Sequence, residues 1–296
     1  MPLRLLRGLA LFVVLPLGFL ALAATIGVLL GSSRVLAPRA LPPSPGTDWG
    51  GGSAARGRHV AASYGACLDC HGADLAGGKA FFRGPMGTLV APNLTRGVGG
   101  VGSAYSDSDL ERAIRAGVRP DGSGLLVMPS VAFANMSDAD LRDVIAYLRS
   151  VPAVNRSTPA RVIGPLARVL LATGQLRVEP DRIDAAMTHP ATTPAGATIE
   201  HGRYLASVGA CMECHGANLA GGHYRGSPKD PPASNITPAG IGAWTESDFN
   251  RTLRLGRDPR GHVLNQFMPW TSYAQLDDDE LAALWTYLRS VPPVKS

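Results

Sequence analysis

Aromatic residues are scarce in this sequence. Only 6% of its 296 residues are Phe, Trp or Tyr, little with which to fill the cores of its domains. Sustained alternation of apolar and polar residues, the pattern of a half-buried strand, occurs nowhere, so a β-rich fold is not expected. Excess charge is missing too. The net charge is +5, but Arg4, Arg7 and Arg34 flank one apolar run, and the remainder carries 25 basic against 23 acidic groups. That near-balance excludes a nucleic-acid surface. Cysteine is the sharpest scarcity. There are four, and all four stand in two copies of one pentapeptide.

The copies are Cys67-Leu68-Asp69-Cys70-His71 and Cys211-Met212-Glu213-Cys214-His215. Cys-x-x-Cys-His is the attachment signature of c-type haem, and the spacing has a chemical reason. Two thiols three positions apart share one helical turn, where each can form a thioether to a vinyl group on the same porphyrin edge. The next residue, His71 or His215, then lies under the ring as the proximal axial ligand of the iron. Zinc sites and thioredoxin-like redox pairs also use Cys-x-x-Cys. A zinc ribbon, however, places its second pair about 15–20 residues away, whereas here the pairs are 144 positions apart. Two covalently bound haem c groups are therefore expected, one on Cys67 and Cys70, the other on Cys211 and Cys214. They would supply the apolar core surface that the aromatics do not.

From Gly8 to Ser33 no residue is charged, and Arg4 and Arg7 precede the run. Its length suffices for one transmembrane helix, with the basic N-terminal end in the cytoplasm. A cleaved signal peptide, with Ala21-Leu22-Ala23 as the cleavage site, is the alternative. The apolar run continues past that site through Ile26, Val28, Leu29 and Leu30, which favours an uncleaved anchor. Residues 1–34 thus read as the membrane segment and 35–55 as a linker, semi-rigid at Pro38, Pro42, Pro43 and Pro45, flexible at Gly50, Gly51 and Gly52.

The rest is an internal repeat: a first domain over 56–155, a strap over 156–199 and a second domain over 200–296. Gly57-Arg58-His59-Val60-Ala61 matches Gly202-Arg203-Tyr204-Leu205-Ala206, and Pro92-Asn93-Leu94-Thr95 matches Ser234-Asn235-Ile236-Thr237. A middle helix in each domain starts at an N-cap, Ser106 or Thr245, with Asp109 or Asp248 three residues on. Apolar positions follow at Leu110, Ala113 and Ile114, and at Phe249, Leu253 and Leu255, before Gly117 and Gly256 stop the helices. The last helices are capped by Ser137 and Asp277, with Asp140 and Glu280 three residues on. They carry Leu141, Val144, Ile145 and Leu148, and Leu281, Leu284, Trp285 and Leu288, at helical spacing. Both domains read as all-α. The strap suggests a short helix around Pro165–Leu176. Its Arg161, Arg168, Arg177 and Arg182 read either as a docking surface or as a solvated segment packing one domain on the other.

Haem iron has a second axial position, and a methionine there raises the potential and closes the iron to substrates. Met128 and Met268 each precede a proline in the loop between middle and last helix, 11 residues after Gly117 and 12 after Gly256. This paired placement makes them the expected sixth ligands, although Met86 and Met136 also lie in the first domain. His59, His189, His201, His223 and His262 are matched by no histidine in the repeat. A surface or propionate-contacting role is expected for them.

With these residues in place, both domains resemble the class I cytochrome c family over nearly their whole length. The haem motifs, Pro92-Asn93-Leu94, and Ala146-Tyr147-Leu148 with Thr286-Tyr287-Leu288 carry the resemblance. It implies two tandem class I cytochrome c domains after an N-terminal transmembrane helix. It also implies that Gly57 and Gly202 face Tyr147 and Tyr287 where first and last helices cross, and that the Pro92 carbonyl orients His71. The second domain has Ser234 in place of that proline. More narrowly, Ile241-Gly242-Ala243-Trp244-Thr245-Glu246-Ser247-Asp248-Phe249 and Leu288-Arg289-Ser290-Val291-Pro292-Pro293-Val294 resemble membrane-anchored cytochrome c subunits of periplasmic alcohol, aldehyde or sugar-acid dehydrogenases. Those subunits commonly hold three haems, against two motifs here. The implied role is electron relay on the periplasmic side of the bacterial inner membrane. A dehydrogenase would be the donor and an oxidase or another cytochrome the acceptor. A dihaem peroxidase would need one iron with an exchangeable sixth position, against the paired methionines. A haem-based sensor would need a signalling domain, and none is present in the sequence.

Overall fold

The computed structural model describes residues 2–36, 38–39, 49–184, 187–224 and 229–295. The chain opens with a 35-residue helix, α1 (Pro2–Leu36). The first repeat follows as α2 (Ala54–Ala62), the haem-motif turn α3 (Cys67–His71), strands β1 (Ala80–Phe82) and β2 (Gly87–Val90), α4 (Asp107–Glu111), α5 (Ser130–Phe133) and α6 (Asp138–Ser150). The strap contributes β3 (Val162–Ile163) and α7 (Pro165–Ala172). The second repeat is α8 (Ile199–Val208), α9 (Cys211–His215), β4 (Gly222–His223), β5 (Pro232–Ala233), α10 (Pro238–Ile241), α11 (Glu246–Leu255), α12 (Trp270–Tyr273) and α13 (Asp278–Ser290).

The protein is mostly helical, but the all-α expectation needs correcting. β1, β2 and β3 form a small antiparallel sheet, and β4 pairs with β5. The strands are two to four residues long, and the register of β1 on β2 shifts within three residues. Segments that short cannot show sustained alternation, which is why the sequence pattern does not reveal them. The third strand comes from the strap, so the strap is built into the first domain rather than draped over it.

Helix punctuation follows the sequence closely. Ser106 with Asp109, and Thr245 with Asp248, form complete capping boxes. Gly117 and Gly256 end their helices at φ +65° and +63°, where a side chain is strained. α4 runs into a π-helical turn, Arg112–Ala116, while α11 stays regular to its end. One apolar position was misassigned: Leu255 is 65% exposed, on the outer face of α11.

Within each domain the first and last helices cross at a glycine, as the resemblance implies. A Cβ on Gly57 would lie 1.8 Å from the Asp143 carbonyl oxygen and 2.9 Å from the Tyr147 Cβ. On Gly202 it would lie 2.0 Å from the Ala283 carbonyl oxygen and 2.6 Å from the Tyr287 Cβ. The backbones touch, so any side chain must force the helices apart. Gly202→Val is expected to cost about 1–3 kcal/mol or more by overpacking, read as a lower midpoint in thermal unfolding.

One apolar core runs through both domains, from Val60, Leu141 and Ile145 to Leu205, Leu281 and Leu288. A second cluster joins the end of α1 to the strap and the first domain through Val35, Leu89, Leu126, Ile163, Ala167, Leu171 and Val178. The linker is accordingly not a free tether at its start. The Val35 carbonyl accepts from Gly124 N at 3.2 Å, Arg39 N donates to the Gly122 carbonyl at 3.1 Å, and Trp49 is buried. Pro42, Pro43 and Pro45 lie outside the described residues.

The two domains meet through contacts that the repeat relates to one another. On α2, His59 reaches across to Glu280 at the start of α13, with Nε2 2.8 Å from Oε2 and 3.0 Å from Oε1. On α8, the matching residue Tyr204 donates to Asp140 at the start of α6, at 2.6 Å. Arg56 adds a bond to Glu280 at 3.3 Å, Thr193 donates to Asp140 at 2.7 Å, and Tyr64 donates to the same carboxylate. Both carboxylates are 1% exposed. This is the self-complementary pattern of a two-fold dimer, here inside one chain.

Candidate haem sites

Each haem motif is held in a strained entry that recurs in both domains. Ala66 and Ala210, just before α3 and α9, adopt left-handed conformations with φ 45° and 57°. Leu75 and Leu219, in the loop after each motif, do the same at φ 57° and 62° while almost wholly buried. Left-handed backbone is costly for such residues and concentrates at functional sites. The glycine-rich appearance of these loops hides the two leucines, whose matched positions in the repeat were the available signal.

On each motif turn the two thiols lie at i and i+3, followed directly by the histidine. As free groups they are protonated thiols. Burial pushes the Cys67 and Cys211 thiols up to about 12, and burial raises Cys70 as well. Among the described residues, the one group of three His, Cys, Asp or Glu close enough to share an ion is His59, Asp277 and Glu280, which contains no cysteine.

The histidines are held as neutral imidazoles. His71 Nδ1 bonds to the Pro92 carbonyl at 2.9 Å, and His215 Nδ1 bonds to the Ser234 carbonyl at 2.7 Å. A carbonyl only accepts, so Nδ1 carries the proton and Nε2 presents a lone pair. Burial lowers both imidazole pKa values, against the opposing pull of the carbonyl bond. Losing the proline costs the second domain nothing in this contact. The reason is the next residue. Asn93 Nδ2 donates to the Val154 carbonyl at 2.7 Å and Asn235 Nδ2 to the Val294 carbonyl at 2.6 Å. Each asparagine thereby ties the carbonyl-bearing loop to the chain beyond the last helix.

Met128 and Met268 occupy matching places. Each carbonyl accepts from the second residue on, Ser130 N or Trp270 N, at 2.8 Å. Each side chain packs half-buried on the core that also carries Leu68, Cys211 and Met212. Met86 belongs instead to the strap cluster, and Met136 is a core residue 1% exposed. The set of two thiols, a neutral imidazole with Nε2 available and a thioether on the loop before the last helix fits haem c in both domains.

The sequence profile of the cytochrome c family matches residues 54–152 and 199–292. The chain belongs to the cytochrome c family. Domains of this family imply covalently bound haem c. The chain is 30% identical, over 88% of its length, to the cytochrome c subunit of a quinone alcohol dehydrogenase from Gluconacetobacter polyoxogenes, covering 60% of that protein. It is 29% identical, over 81% of its length, to the fructose dehydrogenase cytochrome subunit of Gluconobacter japonicus, covering 53% of it. It is also 29% identical, over 82% of its length, to a diheme cytochrome c-type protein of Cereibacter sphaeroides, 88% of which it covers. The chain therefore spans little more than half of the first two relatives.

Several polar residues around these sites escaped the sequence reading. Asp140 and Glu280 read as helix-capping residues. Glu280 does complete a capping box, while the carboxylate of Asp140 turns to Tyr64, Tyr204 and Thr193 instead. His59 serves the domain interface rather than the surface or a propionate. The strap arginines are spoken for within the chain. Arg161 bonds the Gly124 carbonyl, Arg168 the Ile163 carbonyl, Arg177 the Asp181 carbonyl, and Arg182 the carboxylates of Glu179 and Glu213. Of the two readings of the strap, packing fits these contacts. Arg182 links it to the second haem motif, and Ser272 Oγ links α12 to Asp69 of the first at 2.8 Å.

Proposed function

We propose that this cytochrome c family member is a dihaem electron carrier, with Cys67, Cys70, Cys211 and Cys214 as thioether sites, His71 and His215 as proximal ligands, and Met128 and Met268 as sixth ligands. The observation that carries this is the repetition of the whole donor set, down to the carbonyl bond on each Nδ1. When bound, each haem supplies a one-electron ferric–ferrous couple. The chain's part is to bind, orient and shield. The Pro92 and Ser234 carbonyls fix the imidazole planes and their protonation. Met128 and Met268 close the sixth position, which favours electron transfer over catalysis.

The setting follows from α1. Val13–Leu36 is a helix of mean hydropathy 2.5, long and apolar enough to cross a membrane. We read it as a retained anchor that holds both domains on the periplasmic side of a bacterial inner membrane, the basic Arg4 and Arg7 remaining in the cytoplasm. The donor would be a dehydrogenase, as the relatives' names suggest, and the acceptor an oxidase or another cytochrome. The loop face beside Met268 suits a transient partner, with Leu255, Val263 and Phe267 exposed by 65%, 66% and 45%. The matching face of the first domain is covered by the strap, where Glu179 N donates to the Leu125 carbonyl at 2.8 Å.

Acid–acetone extraction tests the assignment. Both haems are expected to stay with the polypeptide, whose mass should exceed the apo value by two haems, and the protein should not turn over peroxide. Extractable haem, zinc in its place, or rapid peroxide reduction overturns it. Changing Cys211 or Cys214 to Ala is expected to leave one covalent haem and to compromise folding of the second domain, measured by mass and by resistance to proteolysis.

A further inference from the structure

We propose that the strap helix α7 lies in the membrane surface and, with β3, forms a second lipid contact beside the spanning helix. This rests on the reading of α1 as a retained anchor.

The two helices are in direct contact near the outer end of the apolar run. A Cβ on Gly31 would lie 1.8 Å from the carbonyl oxygen of Arg168, so the backbones of α1 and α7 touch there. One turn earlier, a Cβ on Gly27 would meet Val169 at 3.5 Å. Arg34 Nη1 donates to the Leu171 carbonyl at 2.9 Å, tying the outer end of α1 to the last turn of α7. At 1.5 Å per residue, the uncharged run from Gly8 to Ser33 is roughly 39 Å long, about 9 Å more than the hydrocarbon core. With that core centred on the run, its outer boundary falls near residue 30, between the two glycines that hold α7. The strap helix therefore sits at the depth where hydrocarbon gives way to headgroups.

Its chemistry suits that depth. α7 reads Pro-Leu-Ala-Arg-Val-Leu-Leu-Ala. Ala167 and Leu171 are buried on the strap cluster, while Leu166 is 45% exposed and Val162 of β3 is 53% exposed. The helix's single charge, Arg168, is bent back to the Ile163 carbonyl at 2.8 Å. A helix with one face on the protein and an apolar residue outward can bury that outward side at the headgroup boundary, and the bent-back Arg168 puts no charge in its way. Lipid is the occupant because this surface is continuous with the lipid-facing side chains of α1.

The test uses the full haem-loaded chain in lipid nanodiscs, labelled by a hydrophobic aryl-diazirine dissolved in the bilayer and mapped by mass spectrometry. Label is expected on residues 13–30 and also on Val162 and Leu166. Val98 and Val263, exposed by 73% and 66%, belong to neither helix and should stay unlabelled as exposed apolar residues outside the contact. Gly31→Leu, which cannot keep the helix contact, is expected to reduce label on 162–170 several-fold while label on 13–30 stays. Label on 13–30 with none on 162–170 in the wild type overturns the proposal and leaves the anchor standing. An unlabelled 13–30 segment overturns the anchor reading and the proposal with it. Label on Val98 and Val263 equal to that on Leu166 also overturns it, because the reagent would then be reporting exposure alone.

Discussion

Met268→Ala is expected to remove half of the weak far-red absorption of sulfur-ligated ferric haem. It should also open one of the two reduced irons to carbon monoxide and lower the potential of that haem by a sizeable part of the roughly 0.8 V that axial ligation spans. Met128→Ala should do the same to the other haem. Met86→Ala should do neither, because Met86 packs in the strap cluster among Leu89, Ile163 and Ala167 rather than on the core that carries the haem motifs. The measurements are the oxidised spectrum, a carbon monoxide titration of the reduced protein, and a redox titration of each variant. An unchanged spectrum in Met268→Ala would remove Met268 from the ligand set.

The second large effect is expected at the domain interface. Asp140→Ala strips the acceptor from Tyr64, Tyr204 and Thr193 together. Burial, and then the charge of Asp140, push both phenols well above the ordinary tyrosine range, so both are proton donors in the wild type; without Asp140 the Tyr64 hydroxyl loses its acceptor and Tyr204 keeps only a long bond to Ser137 Oγ at 3.4 Å. Leaving a buried hydroxyl donor without its acceptor costs about 1–3 kcal/mol. The variant is expected to unfold in two steps where the wild type unfolds in one, followed by differential scanning calorimetry. The matching contact predicts an acid limit. Burial pushes the Glu280 carboxyl up, but bonds from His59 and Asp277 N, with the charge of Arg56, outweigh it and hold the carboxyl below its ordinary value. A carboxylate depressed in the folded state stabilises at every pH above its unfolded pKa, about 4.3, and loses that contribution as pH falls through the folded value. The two-domain unit should therefore hold through mildly acidic conditions and loosen below about pH 4. In Glu280→Gln that pH dependence should be flattened.

Local features of this protein were legible in its sequence because local chemistry sets them. The haem motifs, the capping residues at Ser106, Thr245 and Asp277, the stops at Gly117 and Gly256, and the helical spacing in the last helices depend on neighbours within a turn. The matched placement of Met128 and Met268 was legible because a repeat offers two readings of one position. What was missed depends on distant partners. His59 and Glu280 are separated by 221 positions, and nothing near either residue announces the other. Leu255 fits the apolar period of α11 yet faces outward, since periodicity locates a stripe without saying what covers it. The strands of the first sheet are too short for a period, and one of them belongs to the strap. The strap arginines looked available only because their acceptors are mostly backbone carbonyls, which no side-chain pattern shows.

The strap has a consequence for how the two halves stay together. A few buried polar contacts and a shared apolar core, placed between separate molecules, would make a complex that falls apart on dilution. Joined by about forty residues of one chain, the halves meet at an effective concentration of the order of millimolar whatever the amount of protein present. The relation between the two haem motifs is then fixed in every molecule made.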